Sequence, residues 1–153
     1  MKSDTRLCSM LHLLLHMADA DGPLTSEELA GYLRTNSVVV RRTMAGLRRA
    51  GIVTSEKGHG GGWRLDRPAG EITLADVHEA LGSPGLLAFG NRSDNPECLA
   101  ERAVNARLSD TMAEAKALVM QRLGAVTLAD IASDFDALCR QHGRSMRGDH
   151  THA

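Results

Sequence analysis

Residues 25–65 read TSEELAGYLRTNSVVVRRTMAGLRRAGIVTSEKGHGGGWRL, and the architecture is decided in this stretch. It opens on Thr25 with Glu28 three residues later, the capping-box pattern of a helix start. A short helix follows over 26–33, with Leu29 and Leu33 inward. Thr35-Asn36-Ser37 makes a turn and a second cap. The next helix runs from about 37 to 50, with Val40, Met44 and Leu47 toward the core and Arg41, Arg42, Arg48 and Arg49 largely on other faces. Gly51 is its stop. Ile52 to Ser55 predicts a short strand, Lys57 to Gly62 a glycine-rich turn, and Trp63 to Leu65 the returning strand of a hairpin.

Working outward, residues 5–19 form a helix in which Leu7, Leu11, Leu14 and Ala18 recur at spacings of three and four. Asp19 to Pro23 breaks it. Beyond the hairpin, Thr73 caps a helix over 74–82, with Leu74, Val77, His78 and Leu81 on one side. A loop over 83–97 contains Pro84, Gly85, Gly90 and Pro96. The longest helix is expected over about 97–123, carrying Val104, Leu108, Met112, Ala115 and Val119 as a stripe. At 1.5 Å per residue it is ~40 Å long, more than a domain of this size needs internally. Gly124 stops it and Thr127 caps a last helix to about 140. Thr73-Leu74-Ala75-Asp76 and Thr127-Leu128-Ala129-Asp130 match locally, and both read as helix starts. The chain is therefore expected to be mainly α: a winged helix-turn-helix domain over 1–82, a linker loop over 83–97, dimerisation helices over 97–140 and a disordered tail over 143–153.

Composition narrows the class. Of 153 residues, 42% are hydrophobic and 24% charged, which excludes a wholly disordered chain. No uncharged apolar run approaches the ~18 residues of a membrane span, and the apolar start, dotted with His12 and His16, lacks a signal-peptide cleavage pattern. Cys8, Cys98 and Cys139 are odd in number and widely spaced, a pattern of free thiols in a cytoplasmic protein. The net charge of −1 conceals a split: residues 31–67 hold eight basic and two acidic side chains, which leaves the rest of the chain at −7. A polyanion is attracted to that segment and repelled by the remainder.

That order of elements and that charge fit duplex DNA. A helix enters the major groove and its N-terminal residues reach base edges. Here that end carries Ser37, Val38 and Arg41, with Arg42 beside them. Thr25 and Ser26 open the preceding helix, where N–H groups can grip a phosphate. Lys57, His59 and Arg64 are expected at the hairpin tip, where glycines permit close approach and a cation can enter the minor groove. The rival reading is a winged-helix protein-interaction module that no longer binds DNA. Catalysis is not indicated: Gly58 to Gly62 lacks the Gly-Lys-Ser/Thr of a phosphate loop, and no nucleophile–base pair stands out.

These residues resemble the Rrf2 family of bacterial transcription regulators over about 1–135. The resemblance rests on Arg6-Leu7 with Leu11-His12-Leu13-Leu14, on Thr25 to Ala30, on Leu47 to Val53, on the wing Gly58 to Leu65, and on Ile72 to Val77 followed by a cysteine after a loop. It implies a repressor acting as a homodimer, paired through the long helix on a near-palindromic operator. The recognition helix would enter the major groove and the wing the minor groove. Some members hold an iron–sulfur cluster on three cysteines in the loop and the helix after it, with a further ligand from elsewhere. This chain has only Cys98 there, so no cofactor is expected. Cys98 is more similar to the lone cysteine of cluster-free members, some of which sense oxidants or electrophiles.

The residues around Cys98 bear on that chemistry. It stands where the loop becomes a helix, and a positive helix end favours a thiolate, although Glu97 opposes it. Cys8 is its candidate partner in a disulfide. Cys8, His12 and His16 recur every fourth residue on one helix face. Cys8 or His12 with Cys98 from a second subunit is the alternative, a metal or iron–sulfur sensor. The bland reading is that the histidines are packed and hydrogen-bonded.

Overall fold

The computed structural model of the chain describes residues 5–86 and 98–143. Among these residues, six α-helices and one two-stranded sheet follow in the order α1 (Arg6–Asp19), α2 (Ser26–Leu33), α3 (Ser37–Arg49), β1 (Val53–Glu56), β2 (Gly62–Leu65), α4 (Leu74–Ala80), α5 (Leu99–Gly124) and α6 (Leu128–His142), with a 3₁₀ turn at Ala69–Glu71 before α4. The fold is mainly α, and α1 to β2 form a winged helix-turn-helix. Part of the expected linker, 87–97, and the tail from 144 lie outside the described residues.

Capping chemistry sets most of the boundaries. Thr25, Thr73 and Thr127 each accept a hydrogen bond from the backbone N–H three residues on, and the carboxylates of Glu28, Asp76 and Asp130 accept the return bond from the cap's own N–H. At α3 the cap is Asn36, whose side-chain oxygen accepts from the N–H of Val38 at 2.8 Å. Between α2 and α3 the chain reverses through Arg34, which adopts a left-handed conformation at φ 49°. β1 begins at Val53, one residue later than expected, where the N–H of Ile52 still donates to the Leu47 carbonyl of α3 at 3.0 Å. α4 stops at Ala80, two residues short of expectation, where Gly82 takes φ 84°.

One apolar cluster joins Met10, Leu13, Leu14 and Met17 of α1 to Leu29 of α2, to Val40, Met44 and Leu47 of α3, to Ile52, Val53, Ile72 and Val77, and to Leu128 at the start of α6. The α3 stripe is as expected. The α1 stripe is not: Met10, Leu13 and Met17 are buried with Leu14, whereas Leu7 and Leu11 pack at the margin and Ala18 is exposed. α1 touches α2, β2, α4 and α6, so a leucine-rich helix covered from several sides has no single face for periodicity to find. The buried methionines fill the irregular gaps among those neighbours.

Two isolated bridges tie the parts together. Leu24, just before α2, pairs with Trp63 of β2 through N–H···O bonds of 2.9 and 2.8 Å. The two Thr-Leu-Ala-Asp segments also pair with each other: Leu74 N–H donates to the Val126 carbonyl at 3.0 Å and Leu128 N–H to the Ile72 carbonyl at 2.8 Å. The local repeat thus marks two capped helix starts laid side by side. α5, between them, buries none of its residues, and Val104 and Leu108 are 56% and 45% exposed.

The Leu24–Trp63 bridge depends on Gly62, where a Cβ would stand 2.5 Å from the Leu24 carbonyl oxygen. Gly62→Ala is expected to lower the unfolding free energy by ~1–3 kcal/mol, as forced overpacking does, because the atom in the way is backbone. Urea denaturation followed by circular dichroism measures this; a midpoint unchanged from the parent would show that the bridge contributes nothing.

Candidate nucleic-acid interface

α3 presents its N-terminal end to solvent, and its last turn meets the wing through Arg48. Three consecutive valines cannot all face one side of a helix. Val40 goes to the core, and Val38 and Val39 are left 56% and 53% exposed. Val39 was not among the expected contact residues, although the valine run itself signals it. Ser37 is half-buried and accepts a bond from Arg41 Nη2 at 3.3 Å. The same nitrogen donates to Glu27 Oε1 at 2.8 Å, so Arg41 is tied to the preceding helix. Glu27 is held below the ordinary carboxylate range, first by a hydrogen bond from its own backbone N–H and then by the Arg41 guanidinium. Arg42 and Arg49 are exposed and have no partner among the described residues.

The start of α2 offers a phosphate less than expected. The Thr25 N–H and hydroxyl both donate to Glu28 Oε2, at 2.7 and 2.8 Å. Ser26 is buried, and its hydroxyl accepts the indole N–H of Trp63 at 3.0 Å. Glu27 and Glu28 add negative charge to the same turn. The cap is already filled from within the fold.

The wing pairs Val53 with Leu65, Thr54 with Arg64, Ser55 with Trp63 and Glu56 with Gly62. Its tip is therefore 57–61, with Lys57 and His59 exposed on it. Gly61 is required there because a Cβ would lie 2.3 Å from the Glu56 carbonyl oxygen. Arg64 is not at the tip as expected. It lies within β2 opposite Thr54 and pairs with Glu56 at 2.9 Å, because the strand begins at Gly62. Two other arginines serve the fold. Arg48 donates to Ser55 Oγ at 3.1 Å and stands 6.0 Å over the Trp63 ring. Arg67 donates to the carbonyls of Gly51 and Glu71 at 3.1 and 3.2 Å and lies 3.6 Å from Asp76.

Cys98 is exposed at the N-cap of α5, where the backbone N–H groups of Glu101 and then Ala100 hold its thiol below the ordinary range. Cys8 is exposed on α1, and Cys139 is half-buried on α6. His12 and His16 bring their Nε2 atoms within 2.9 Å, and His16 stacks on Tyr32 with ring centres 4.2 Å apart. Among the described residues no three His, Cys, Asp or Glu side chains are grouped to hold a metal ion.

A helix-turn-helix with cations and bare valines at the head of its second helix, buttressed by a two-stranded wing, defines a winged-helix DNA-binding protein. Comparison with known proteins agrees. Residues 3–134 match the Rrf2 family, described as an iron-dependent transcriptional regulator. YwnA of Bacillus subtilis (strain 168), named for an HTH-type transcriptional regulator, is 29% identical over 128 residues, covering 84% of this chain and 95% of that protein. A crystal structure described as a DNA-binding protein is 28% identical, with a TM-score of 0.67 over 82% of this chain and 97% of that one. CymR, the global cysteine regulator of B. subtilis, shares the fold at 24% identity and a TM-score of 0.55 over 87% of this chain and 97% of that one. The chain belongs to the Rrf2 family: it is a DNA-binding transcriptional regulator, not an enzyme.

The family description raises iron. Within one chain the three cysteines lie apart, on α1, at the head of α5 and on α6, and among the described residues no three His, Cys, Asp or Glu side chains are grouped to hold a metal ion. No helix among those residues is long and apolar enough to cross a membrane.

If the free cations of this face meet phosphates, each carries part of the salt dependence. Affinity for a random duplex is expected to fall steeply as salt rises, and Arg42→Ala and Lys57→Ala should each reduce the log–log slope by about one. Fluorescence anisotropy across a salt series reads it. Slopes equal to the parent's for both variants would remove these residues from the interface.

Proposed function

We propose that the protein is a cytoplasmic repressor that binds a near-palindromic operator as a homodimer and responds to oxidants through Cys98. The observation that carries this reading is the exposed head of α3, with Val38, Val39, Arg41 and Arg42 on a helix pinned from behind. In the proposed complex α3 lies in the major groove. Arg41 reads a base edge, Val38 meets a thymine methyl, and Ser37 meets a base or phosphate. Lys57 and His59 of the wing approach the minor groove, with Arg64 behind them contributing charge. Thr25 and Ser26 support this face through the α2 cap more than by direct contact.

The α5 stripe supports the dimer. Val104 and Leu108 are exposed, and Met112, Ala115 and Val119 only half-buried, on a 26-residue helix, and a second copy related by a two-fold axis covers such a stripe with itself. Leu108→Glu should give monomers in sedimentation and lose tight operator binding, since a single half-site keeps half the contacts. A wild-type protein monomeric at micromolar concentration would overturn the dimer.

For the signal, an exposed thiol at a helix N-terminus, with a pKa below the ordinary range, supports oxidation at Cys98. Its thiolate attacks hydrogen peroxide, forming a sulfenic acid and expelling hydroxide, which leaves as water once protonated. Condensation with a second thiol, Cys8 of either copy, forms a disulfide and releases water. No cluster or metal enters this scheme. Peroxide should weaken operator binding by the wild type, a reductant should restore it after disulfide formation, and Cys98→Ser should bind constitutively. Because the thiolate is the reactant and the thiol pKa is depressed, oxidation should stay fast as pH falls below the ordinary cysteine range and slow only beneath the lowered value. Full oxidant sensitivity in Cys98→Ser would place the switch elsewhere.

A further inference from the structure

We propose that Glu27, outside the recognition helix, determines which base Arg41 reads by holding its guanidinium in the plane that a guanine edge requires. The inference rests on the reading that α3 enters the major groove.

A guanidinium offers five N–H donors in a planar fork. Both bonds that Arg41 makes within the fold leave from Nη2: one to Glu27 Oε1 at 2.8 Å and one to Ser37 Oγ at 3.3 Å. The first is short and charge-assisted; the second is long and to a neutral acceptor, and is the weaker of the two. An arriving base therefore displaces Ser37 and leaves Glu27 in place. Nη1, which makes no hydrogen bond among the described residues, and the released hydrogen of Nη2 are then the donors left for O6 and N7 of guanine. Glu27 is positioned for this by the fold: it sits in the first turn of α2, whose cap is locked by Thr25 and Glu28 and whose Ser26 is pinned to Trp63. The pair bridges residues 14 apart across the turn.

Without this carboxylate, Arg41 is free to swing to a phosphate, which every sequence supplies. Glu27 also has a cost, since a negative charge beside the DNA face repels the polyanion. The two effects have opposite signs. Removing the charge should strengthen binding to random DNA while weakening discrimination at one base pair per half-site. A merely structural residue would move neither readout in that way, and a merely electrostatic one would strengthen binding to all sequences alike.

The test uses the full chain. Selection from random duplexes with the wild type gives the preferred site, and selection with Arg41→Ala identifies the position that loses its preference. The guanine expected there is then replaced by 7-deazaguanine, which lacks N7. The wild type should lose about tenfold in affinity on that replacement, within the range of a bidentate base contact. Glu27→Gln should lose at most about twofold, and should bind random duplex more tightly than the wild type at the same salt. A thermal melt confirms that this exposed, isosteric variant is folded. An equal penalty from 7-deazaguanine in wild type and Glu27→Gln would overturn the role of Glu27 while leaving α3 in the groove. A base other than guanine at the Arg41-dependent position would overturn it as well. A wild type that selects no sequence would overturn the groove reading and this inference together.

Discussion

The arrangement of the DNA-facing elements depends on how Trp63 is held. Its backbone exchanges two hydrogen bonds with Leu24, its indole N–H is accepted by Ser26, and Arg48 of α3 stands over its ring. One residue of the wing is thus fastened to the entry of α2, to its first turn and to the last turn of α3. A two-stranded hairpin is marginal by itself in water. Here it is stable because it is effectively a third edge of the helix-turn-helix, and because Gly62 lets the backbones approach. The same fastening fixes the angle between wing and α3, which a binder of two adjacent grooves must keep constant.

Much of this was legible in the sequence. Threonine caps with carboxylates three residues on mark three helix starts, and the Val40, Met44, Leu47 stripe names the buried side of α3 before any packing is known. What was not legible shares a physical cause: it depends on partners distant in sequence. The buried face of α1 is chosen by four neighbouring elements. The Arg41–Glu27 pair forms only once the turn is closed. Arg64 was grouped with the tip although it lies in the expected returning strand; its pairing with Thr54 and its ion pair with Glu56, which place it behind the tip, depend on the other strand. The repeated Thr-Leu-Ala-Asp could be read as two helix starts, but their pairing across the fold requires the C-terminal end of α5 to come back to the start of α4.

The charge split was also only partly informative. A count of arginines in 31–67 treats all as equal, yet Arg48 and Arg67 are bonded into the fold, and Arg41 and Arg64 carry carboxylate partners. The cations left without side-chain partners among the described residues, Arg34, Arg42, Arg49 and Lys57, lie at the α2–α3 turn, on α3 and at the wing tip. The electrostatic attraction is therefore more localised than the composition suggests, and it sits where a duplex would be approached. In the proposed complex, non-specific affinity would come from those free cations. Specificity must come from groups already held rigid, because a side chain that has lost its freedom before binding loses less on contact.

The bridge between Thr73 and Thr127 gives the proposed signalling a mechanical basis. α5 leaves from Cys98 and comes back through Val126 to a pair of backbone bonds at Ile72 and Leu74, and Leu128 is anchored in the same core as α3. The distal end of α5 is therefore tied, through these bonds and Leu128, to the core that holds the reading head. Its proximal end, at Cys98, is where added bulk or a new covalent bond would act. In the proposed dimer the two α3 helices must stand about one DNA turn apart, ~34–36 Å. A rotation of α5 imposed at Cys98 cannot be absorbed at the Thr73–Thr127 end without breaking a buried contact. In the proposed dimer it would be passed instead to the separation of the two reading heads, which must match the spacing of successive grooves.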